Sequence, residues 1–276
     1  MLTPDLLNFS LAQFSPYIGK PLQNRLLLVP PPGDSKIIPA KTYFDSNYLC
    51  SSLEAFAESH NIADLAIAAS LWNKLYNNAL IPAVLIVMTL LGIGLDTSLD
   101  NVSVVIENEA PQAIILHRLD RGTFYPPRYG QKEGSNIITI TALSEFHAYI
   151  FRPLFEHLHY LINQIHALTS LSRSVMWGNT GNVCDYLYTE LSNCPGKITA
   201  TQEDRAMIFE QPRSPTGIGH NPLYRTVIDV SIDDSEFAKP TMVRQTCCLL
   251  FKVPLLHCCG NCPVISRDER LARAKH

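Results

Sequence analysis

The sequence predicts an α+β protein: a helix-rich domain with a β-hairpin or small antiparallel sheet, followed by a small cysteine-rich C-terminal segment. Apolar residues recur every three or four positions over two long stretches, which is the helical period, and a shorter stretch between them alternates with polar residues as strands do. The 276 residues are enough to bury a substantial core. We expect an N-terminal arm at 1–44, the helix-rich domain at 45–240 and the C-terminal segment at 241–276.

The helix-rich domain begins with three predicted helices, each with apolar residues at helical spacing. The first covers 48–59, with Asp45 or Ser46 as its N-cap. The second covers 62–77 and the third covers 81–91.

The third helix lies in an uncharged stretch, 77–95, that is almost long enough to span a bilayer. Pro82 and the glycines at 92 and 94 interrupt this stretch, and no excess of Lys or Arg marks one of its flanks. We therefore expect a buried core helix rather than a membrane span.

A change of period then predicts a β-hairpin. Alternating apolar residues at 102–106 are followed by a polar turn at 107–111 and a second strand at 113–119. Residues 121–131 are rich in Gly and Pro, which favours a surface loop over a lid.

The longest predicted helix starts at Thr141 and carries an apolar stripe as far as Leu168. Two residues that bind one metal ion from a helix need a separation of four positions, and no pair of the histidines on this helix has it. We expect these histidines to be exposed or half-buried rather than metal ligands: His147, His157, His159 and His166.

Shorter elements follow. Residues 175–182 lead into a helix that ends at Leu191. They contain Trp177 beside two glycines, Gly178 and Gly181, so Trp177 is expected to serve tight helix packing rather than to form a flat wall for a ligand. A short helix at 204–209, a strand at 224–230, an acidic connection at 232–240 and a solvated C-terminal helix or frayed tail complete the chain.

Composition excludes some classes of function. A formal net charge of −3 and a pI near 6.3 provide no positive surface for nucleic acid. The first residues have no positively charged start followed by an apolar core, so we expect no secretory signal. Eight cysteines without an export signal indicate metal binding or thiol chemistry. The scattered Cys50, Cys184 and Cys194 are interpreted as small core residues.

The remaining cysteines gather near the C-terminus. Cys247, Cys248, Cys259 and Cys262 lie within sixteen positions, and soft thiolate ligands select zinc, copper(I) or iron–sulfur clusters. Only Cys259 and Cys262 have the spacing typical of a zinc ligand pair. Neighbouring side chains in extended backbone point to opposite faces, so adjacent Cys247 and Cys248 suit a two-iron cluster better than one zinc ion. Zinc remains the alternative.

These residues also carry a family resemblance. The Cys-Cys-x10-Cys-x2-Cys arrangement, with Arg244 and Thr246 just before it, resembles the signature of siderophore–iron reductases of the FhuF type. Segments that also match this family are 70–72 with the helix around Pro82, 176–181, 209–210 and 221–227; the likeness covers about 45–262.

The resemblance implies a cytoplasmic protein that binds one [2Fe–2S] cluster through Cys247, Cys248, Cys259 and Cys262. Such a protein passes one electron to the Fe(III) of an imported siderophore, expected to be of the hydroxamate type. Its electron comes from a separate donor such as a ferredoxin, a flavodoxin or a flavin reductase, and peripheral association with the inner membrane is left open. The domain before the cysteines is similar to the C-terminal part of siderophore synthetases, which implies a siderophore-binding role and a helix-rich α+β fold.

Two departures from the family pattern affect this interpretation. Cys258 is an extra thiol beside the expected ligand Cys259, and the connection at 231–240 is longer than expected. No Gly-x-Gly-x-x-Gly fingerprint of a flavin- or nicotinamide-binding fold is present, in keeping with a separate donor.

Roles are also predicted for other residues. Substrate-binding candidates are Trp177, Asn179, His220 and Arg225. Arg244, Lys252 and Arg225 are candidates for tuning the cluster, because cations stabilise its reduced, more anionic form; the simpler interpretation is that they are solvated or paired with Asp229. Two other functions stay open: a non-redox siderophore- or protein-binding module with a structural zinc knuckle, and an iron–sulfur sensor.

Overall fold

The computed structural model describes residues 26–27, 35–118, 121–124, 138–230, 241–253 and 256–274. Most of the predicted N-terminal arm, most of the predicted loop at 121–131 and the acidic connection at 232–240 lie outside the described residues. Helices and small sheets share one hydrophobic core, which confirms the predicted α+β class.

Helices account for most of the described chain. They are α1 to α7 in chain order: Ala40–Tyr43, Ser46–Ser59, Leu65–Ile86, Leu143–Thr169, Arg173–Leu191, Ile198–Phe209 and Arg267–Ala274. A π-helical turn, Val87–Leu91, continues α3, and short 3₁₀ turns occupy Leu99–Asn101 and Leu250–Lys252.

The strands form three small sheets. They are β1 to β9 in chain order: Leu26–Leu27, Lys36–Pro39, Ile93–Leu95, Val102–Glu107, Ala110–Leu116, Arg121–Phe124, Ile138–Ile140, Val227–Val230 and Thr241–Arg244. The first sheet has the order β1-β5-β4-β2, the second β3-β6-β7, and the third pairs β8 with β9. Only the β1–β5 and β6–β7 pairs are parallel.

Helix α3 corrects the prediction of two separate helices over 62–91. It runs unbroken through Asn77 and Pro82 and reaches Leu91 by way of the π-helical turn. Asn77 is buried and does not end the helix, because its Nδ2 donates to the carbonyl oxygen of Asn73 at 2.9 Å, four residues earlier. The helix ends at Gly92, whose φ of 67° is the left-handed conformation common just after a helix.

The membrane question is answered by burial. Residues 65–91 are long and apolar enough to cross a bilayer by length and composition, but 83% of the most apolar window is buried inside the protein. The segment packs against α5 and β5 as the central helix of the core, as predicted.

The predicted hairpin is confirmed, with a tighter turn than expected. Strand β4 ends at Glu107 and β5 begins at Ala110, so Asn108 and Glu109 alone connect them. Both have positive φ, 51° and 61°, as the tightest two-residue hairpin turns require. Pro111 lies within β5 where the register shifts, a place where a strand tolerates a residue without an N–H.

Helix α4 confirms the longest predicted helix, but the prediction for its histidines is wrong for two of the four. His147 and His157 are buried, and each has partners that only the folded chain provides. His147 Nε2 lies 2.8 Å from Asp204 Oδ1, and His157 Nδ1 lies 2.8 Å from the carbonyl oxygen of Thr97. Burial lowers the pKa of His157 to about 4.

Helix α5 contains the segment 175–182, which the sequence did not predict to be helical. Glycine disfavours a helix interior, but here its lack of a side chain is needed. A Cβ on Gly178 would collide with the hydroxyl of Thr246, and a Cβ on Gly181 would collide with the side chain of Thr226. The glycines let the C-terminal segment cross α5 at close range.

Candidate metal centre at the C-terminal cysteines

The antiparallel pair β8–β9 delivers the chain to the cysteines. Val227 is paired with Arg244, and beyond the strands the N–H of Gln245 donates to the carbonyl oxygen of Thr226 at 2.9 Å. Thr246 Oγ1 then donates to the carbonyl oxygen of Ser174 at 3.2 Å, at the start of α5. These contacts fix the backbone immediately before Cys247.

The four predicted ligands are held close together. The Sγ atoms of Cys248 and Cys259 are 3.9 Å apart. Cys248 and Cys262 are buried, with 4% and 1% of their surface exposed, while Cys247 and Cys259 are half-buried. Cys247 Sγ accepts from the N–H of Leu249 at 3.4 Å, and the N–H of Cys262 donates to the carbonyl oxygen of Cys259 at 3.1 Å.

The pKa shifts of the cysteine thiols indicate which of them interact. The hydrogen bond from Cys259 lowers the pKa of Cys248 to about 5, with help from the positive charges of Arg244 and Lys74, and raises the pKa of Cys259 far above its ordinary value. Partial burial raises the pKa of Cys247, and a hydrogen bond with Cys262 adds to that rise. Cys248 therefore pairs with Cys259, whereas Cys262 lies beside both Cys247 and Cys258.

The pair spacing suits a metal. Two thiolates on one tetrahedral ion, each about 2.3 Å from it, lie about 3.8 Å apart, close to the 3.9 Å between Cys248 and Cys259. Within the described ranges, no group of three or more His, Cys, Asp or Glu side chains converges on a single ion.

Cys258 lies beside Cys262 rather than beside Cys248. Partial burial raises the pKa of its thiol, and Cys262 rather than Cys248 is the neighbouring thiol that adds to this rise. Its carbonyl oxygen accepts from Arg273 Nη1 at 3.1 Å. Cys259, and not Cys258, is thus the residue that faces Cys248.

Arg244, a predicted tuning residue, is buried with 1% of its surface exposed. Its Nη2 donates to Asn179 Oδ1 at 2.6 Å, whereas its Nε and Nη1 are buried without a hydrogen-bond partner among the described residues. Its charge helps to lower the pKa of Cys248 and partly offsets the rise in the pKa of Cys259. Two nitrogens of this buried cation, beside four thiols, thus lack a hydrogen-bond partner in the described part of the chain. An anionic group bound there would supply the missing acceptors.

The second predicted tuning residue, Lys252, is exposed on the 3₁₀ turn after the first two cysteines. The lysine that acts on Cys248 is instead Lys74, on α3, which sequence reasoning missed. Lys74 is 174 positions from Cys248 in sequence, and nothing in the local pattern marks it.

A buried polar network attaches the cysteine segment to the helical core, and sequence reasoning missed most of it. Ser70 Oγ donates to the carbonyl oxygen of Cys248 at 2.8 Å. Asn179 Nδ2 donates to the carbonyl oxygen of Ser70 at 3.0 Å and to Asn73 Oδ1 at 3.2 Å. The signal was present in the sequence: Ser70, Asn73 and Asn77 are polar residues on one face of an otherwise apolar helix.

The C-terminal helix α7 is also part of the site, which corrects the expectation of a solvated tail. Arg270 is buried, and its Nη2 donates to the carbonyl oxygens of Cys262 at 2.9 Å and Ile265 at 3.1 Å. Arg273 Nη1 donates to the carbonyl oxygen of Cys258, so α7 holds the backbone of the segment 258–262.

The predicted substrate residues are only partly brought together. Trp177 and Arg225 line one cleft of about 750 Å³, which we call the Trp177 cleft. Thr246, the residue before Cys247, is also in its lining. His220 lies outside this lining, exposed, with its ring 6.2 Å from that of Tyr224, which is in it. Asn179 is fully buried in the polar network, so the structure places it away from the cleft.

Trp177 also contributes to packing, as predicted. Its ring makes edge contacts with Phe155 and His159 of α4, at centroid distances of 5.6 and 4.9 Å. Arg225 has a φ of 52°, and its N–H donates to the carbonyl oxygen of Phe209 at 3.0 Å, so its backbone is fixed while its side chain remains exposed. The charge of Arg225 is thereby available at the mouth of the cleft.

A second cleft, of about 450 Å³, opens where α3 and α5 meet the segment 259–261. Cys259 itself is in its lining, so we call it the Cys259 cleft. The cysteine segment thus borders two clefts: Thr246, just before it, lines the Trp177 cleft, and Cys259 lines the Cys259 cleft.

Comparisons with known proteins agree with these features. A family model described as "Ferric iron reductase FhuF-like transporter" matches residues 70–233, more than half of the chain, and this match ends before the cysteines. A ferric siderophore reductase of Escherichia coli (strain K12) is 28% identical over 102 residues, which make up 37% of this chain and 35% of that protein.

Solved structures of siderophore synthetases share the fold. ATP-bound aerobactin synthetase IucA of Klebsiella pneumoniae superposes with a TM-score of 0.54 at 14% identity, covering 69% of this chain and 37% of that one. Petrobactin biosynthesis protein AsbB of Bacillus anthracis str. Sterne gives 0.53 at 13% identity, covering 70% and 36%. The chain therefore spans little more than a third of the length of these proteins.

Proposed function

The chain belongs to the family of FhuF-like ferric iron reductases, and on that premise we propose that it reduces the Fe(III) of a hydroxamate-type siderophore and so releases Fe(II). Siderophores hold Fe(III) with hard oxygen ligands, which bind the softer Fe(II) far less well. One electron per iron is therefore enough for release.

The proposed cofactor is one [2Fe–2S] cluster, held by Cys247, Cys248, Cys259 and Cys262. Such a cluster is shared between two irons, each with two thiolates, and the 3.9 Å between Cys248 and Cys259 fits two thiolates on one ion. When bound, the cluster supplies the capacity to give and take single electrons. The observation that carries the proposal is the buried, partner-poor Arg244 guanidinium beside four thiols.

The roles of the protein's own residues follow from their positions. Arg244 places a buried positive charge beside Cys248, where it would favour the reduced, more anionic form of the cluster, and Lys74 adds a second cation. Ser70, Asn179 and Arg270 fix the backbone that carries the thiols. These groups supply a preorganised anion site, so no reorganisation is needed when charge arrives.

We place the ferric siderophore in the Trp177 cleft. Its lining combines the aromatic Trp177 and Tyr224, the hydroxyl of Thr246 and the cation of Arg225. Aromatic walls with a few polar groups are usual in small-molecule sites. Thr246 directly precedes Cys247, so a chelate in this cleft lies beside the cysteine segment.

The cellular location, the electron donor and the domain boundaries are also proposed. We propose a cytoplasmic protein that receives electrons from a separate donor and can associate peripherally with the inner membrane. Division of the chain into an arm at 1–44, a siderophore-binding domain at 45–240 and a cluster-binding segment at 241–276 stays a prediction.

Two measurements test the function. Anaerobically purified protein is analysed for iron, inorganic sulfide, zinc and visible absorption; a colourless protein with one zinc ion would favour a structural zinc knuckle and contradict the cofactor. Chemically reduced protein is then mixed with a ferric hydroxamate while a ferrous chelator traps Fe(II). A protein that contains iron and sulfide but produces no Fe(II) would be a sensor rather than a reductase.

A further inference from the structure

The Cys259 cleft has no role in the proposed function so far. It is lined by residues of α3, of α5 and of the segment 259–261. The residues that matter for its chemistry are Lys74, Asn78, Asn182, Tyr186, Cys259 and Asn261. A volume of about 450 Å³ falls within the ~300–1,000 Å³ usual for sites that enclose a small molecule.

Three side-chain amides give this cleft unused hydrogen-bonding capacity. Asn78 makes no side-chain hydrogen bond to any described residue. Asn261 Nδ2 donates to Asn182 Oδ1, which leaves the Nδ2 of Asn182 and the Oδ1 of Asn261 without partners within the described chain. A ligand that offers both donors and acceptors along one edge would satisfy these amides.

Charge and shape narrow the class of ligand. Lys74 is the free cation in the described lining, since the one carboxylate, that of Asp185, is already bound by Arg205 Nη2 at 3.1 Å. The ring of Tyr186 is 44% exposed and provides a flat apolar surface. The cleft therefore suits a planar, anionic molecule with an amide-like edge.

We propose that the Cys259 cleft binds a reduced flavin, which delivers electrons at Cys259. This inference rests on the proposed function, because it assigns the electron donor for the same reaction. The flavin ring system is planar, its pyrimidine edge alternates donors and acceptors, and its reduced form is anionic at neutral pH. Nicotinamide cofactors transfer hydride, which is a pair of electrons, whereas flavins also react one electron at a time.

The reaction balances without another reactant. One anionic reduced flavin gives up two electrons and leaves as oxidised flavin, and one proton passes to solvent. Two Fe(III) ions, each in its own siderophore, become two Fe(II) ions. The donor enters on the Cys259 side and the ferric chelate on the Thr246 side, so the two substrates do not compete for one cleft.

Binding is tested with FMN, whose fluorescence is quenched by stacking on aromatic rings. Full-length protein is titrated into FMN, and Tyr186→Ala is compared with Tyr160→Ala, which removes an exposed tyrosine on α4. We expect Tyr186→Ala to weaken binding about tenfold, as for the loss of one stacking partner, and Tyr160→Ala to bind as the parent does. Equal dissociation constants for the two variants, or no quenching by the parent, would overturn the assignment.

Electron delivery is tested by rapid mixing of the oxidised, cluster-loaded protein with either reduced FMN or dithionite. Asn78→Asp places a carboxylate in the cleft and should slow reduction by reduced FMN about tenfold through repulsion of the anionic flavin, and Tyr186→Ala should do the same. Because dithionite is itself an anion, the two reductants are compared on Tyr186→Ala, whose reduction by dithionite should proceed at the parent rate. Slowing with both reductants would show general damage and reject the site.

The outcomes separate this inference from the proposed function. Parent protein that has been reduced chemically must transfer electrons to a ferric hydroxamate for the proposed function to stand, whether or not flavin binds. If pre-reduced Tyr186→Ala loses this transfer while its reduction by FMN is unchanged, the Cys259 cleft holds the siderophore and the flavin assignment is wrong.

Discussion

Ser70 Oγ donates a 2.8 Å hydrogen bond to the main-chain carbonyl of Cys248, which is 178 positions later in the sequence. Ser70 also contacts Asn179, and Asn179 receives the guanidinium of Arg244. One buried hydroxyl on the central helix thus connects the thiol segment to the core and to the charge that acts on it.

Ser70→Ala should destabilise the protein and loosen the cysteine segment. The substitution leaves the buried carbonyl of Cys248 without its donor, which costs about 1–3 kcal/mol. Urea denaturation measures this loss, and inorganic sulfide per chain measures retention of the cluster. Ser51→Ala removes an exposed hydroxyl that bonds within its own helix and serves as the matched control. Equal unfolding free energies in the two variants would contradict the anchoring role.

Arg244→Gln should make the midpoint potential of the bound cluster more negative. The reduced cluster loses the buried positive charge that favours it, and a shift on the order of 60 mV corresponds to a tenfold change in the equilibrium. Redox titration followed by absorption or paramagnetic resonance gives the value. Lys252→Gln removes an exposed, screened charge and should shift the potential much less. A larger shift in Lys252→Gln would reverse the two assignments.

Cys259→Ser should abolish the cluster, while Cys258→Ser should retain it. Only Cys259 faces Cys248, at 3.9 Å between sulfur atoms, so its loss leaves one iron with a single thiolate. Visible absorption and sulfide analysis of the reconstituted variants decide between them. The reverse pattern would make Cys258 the ligand.

Gly178→Ala should destabilise the docking of the C-terminal segment on α5. The added methyl group meets the hydroxyl of Thr246, and such overpacking costs roughly 1–3 kcal/mol. Adding Thr246→Ala removes the clashing atom and should recover part of the loss, which a double-mutant cycle on unfolding free energies detects. Gly260→Ala is the control, because a Cβ there meets no atom within 4 Å. Strict additivity of Gly178→Ala and Thr246→Ala would argue against direct contact.

Acid should destabilise the fold through His157. Burial lowers the pKa of His157 to about 4 in the folded protein, against ~6.5 in an unfolded chain. Below about pH 6.5 the unfolded chain takes up a proton that the folded protein does not, so stability is full above this pH and is lost as pH falls towards 4, by at most roughly 3 kcal/mol. Unfolding free energies measured across this window should have a shallower slope in His157→Gln. An identical slope would exclude His157 as the cause.

The spacing of apolar residues and the capping residues predicted those helices and strands that depend on interactions between near neighbours in the sequence. The hairpin, helix α2 with Asp45 as its N-cap, and the apolar stripe of α4 all follow from spacing and capping chemistry. Asn47 N–H donates to Asp45 Oδ1 at 3.1 Å, as an N-cap requires. Features decided by tertiary contacts were not predictable in this way. The helix through Pro82 and the burial of His147 and His157 depend on partners distant in sequence.

The same distinction applies to the site. The cysteines, Arg244 and the close packing at Gly178 were marked by residue type and spacing, whereas Lys74 and Arg270 were not, because each acts on a cysteine through a contact made only after folding. Asn179 was predicted to bind substrate, but its full burial gives it a connecting position in the polar network rather than a place in a cleft. Sequence identified the thiols, and only the structure showed which cations surround them.

The glycine-lined crossing of the C-terminal segment over α5 has a consequence for maturation. The residues that receive this segment, at 70 and at 178–181, lie on helices of the core, so the folded chain gathers the thiols through contacts that an unfolded chain lacks. Iron and sulfide supplied to the unfolded chain would encounter cysteines that no contact holds together. The same ions supplied to the folded chain would encounter thiols that are already close to one another. If the proposed cluster is present, we therefore expect it to be inserted after the helical core has folded.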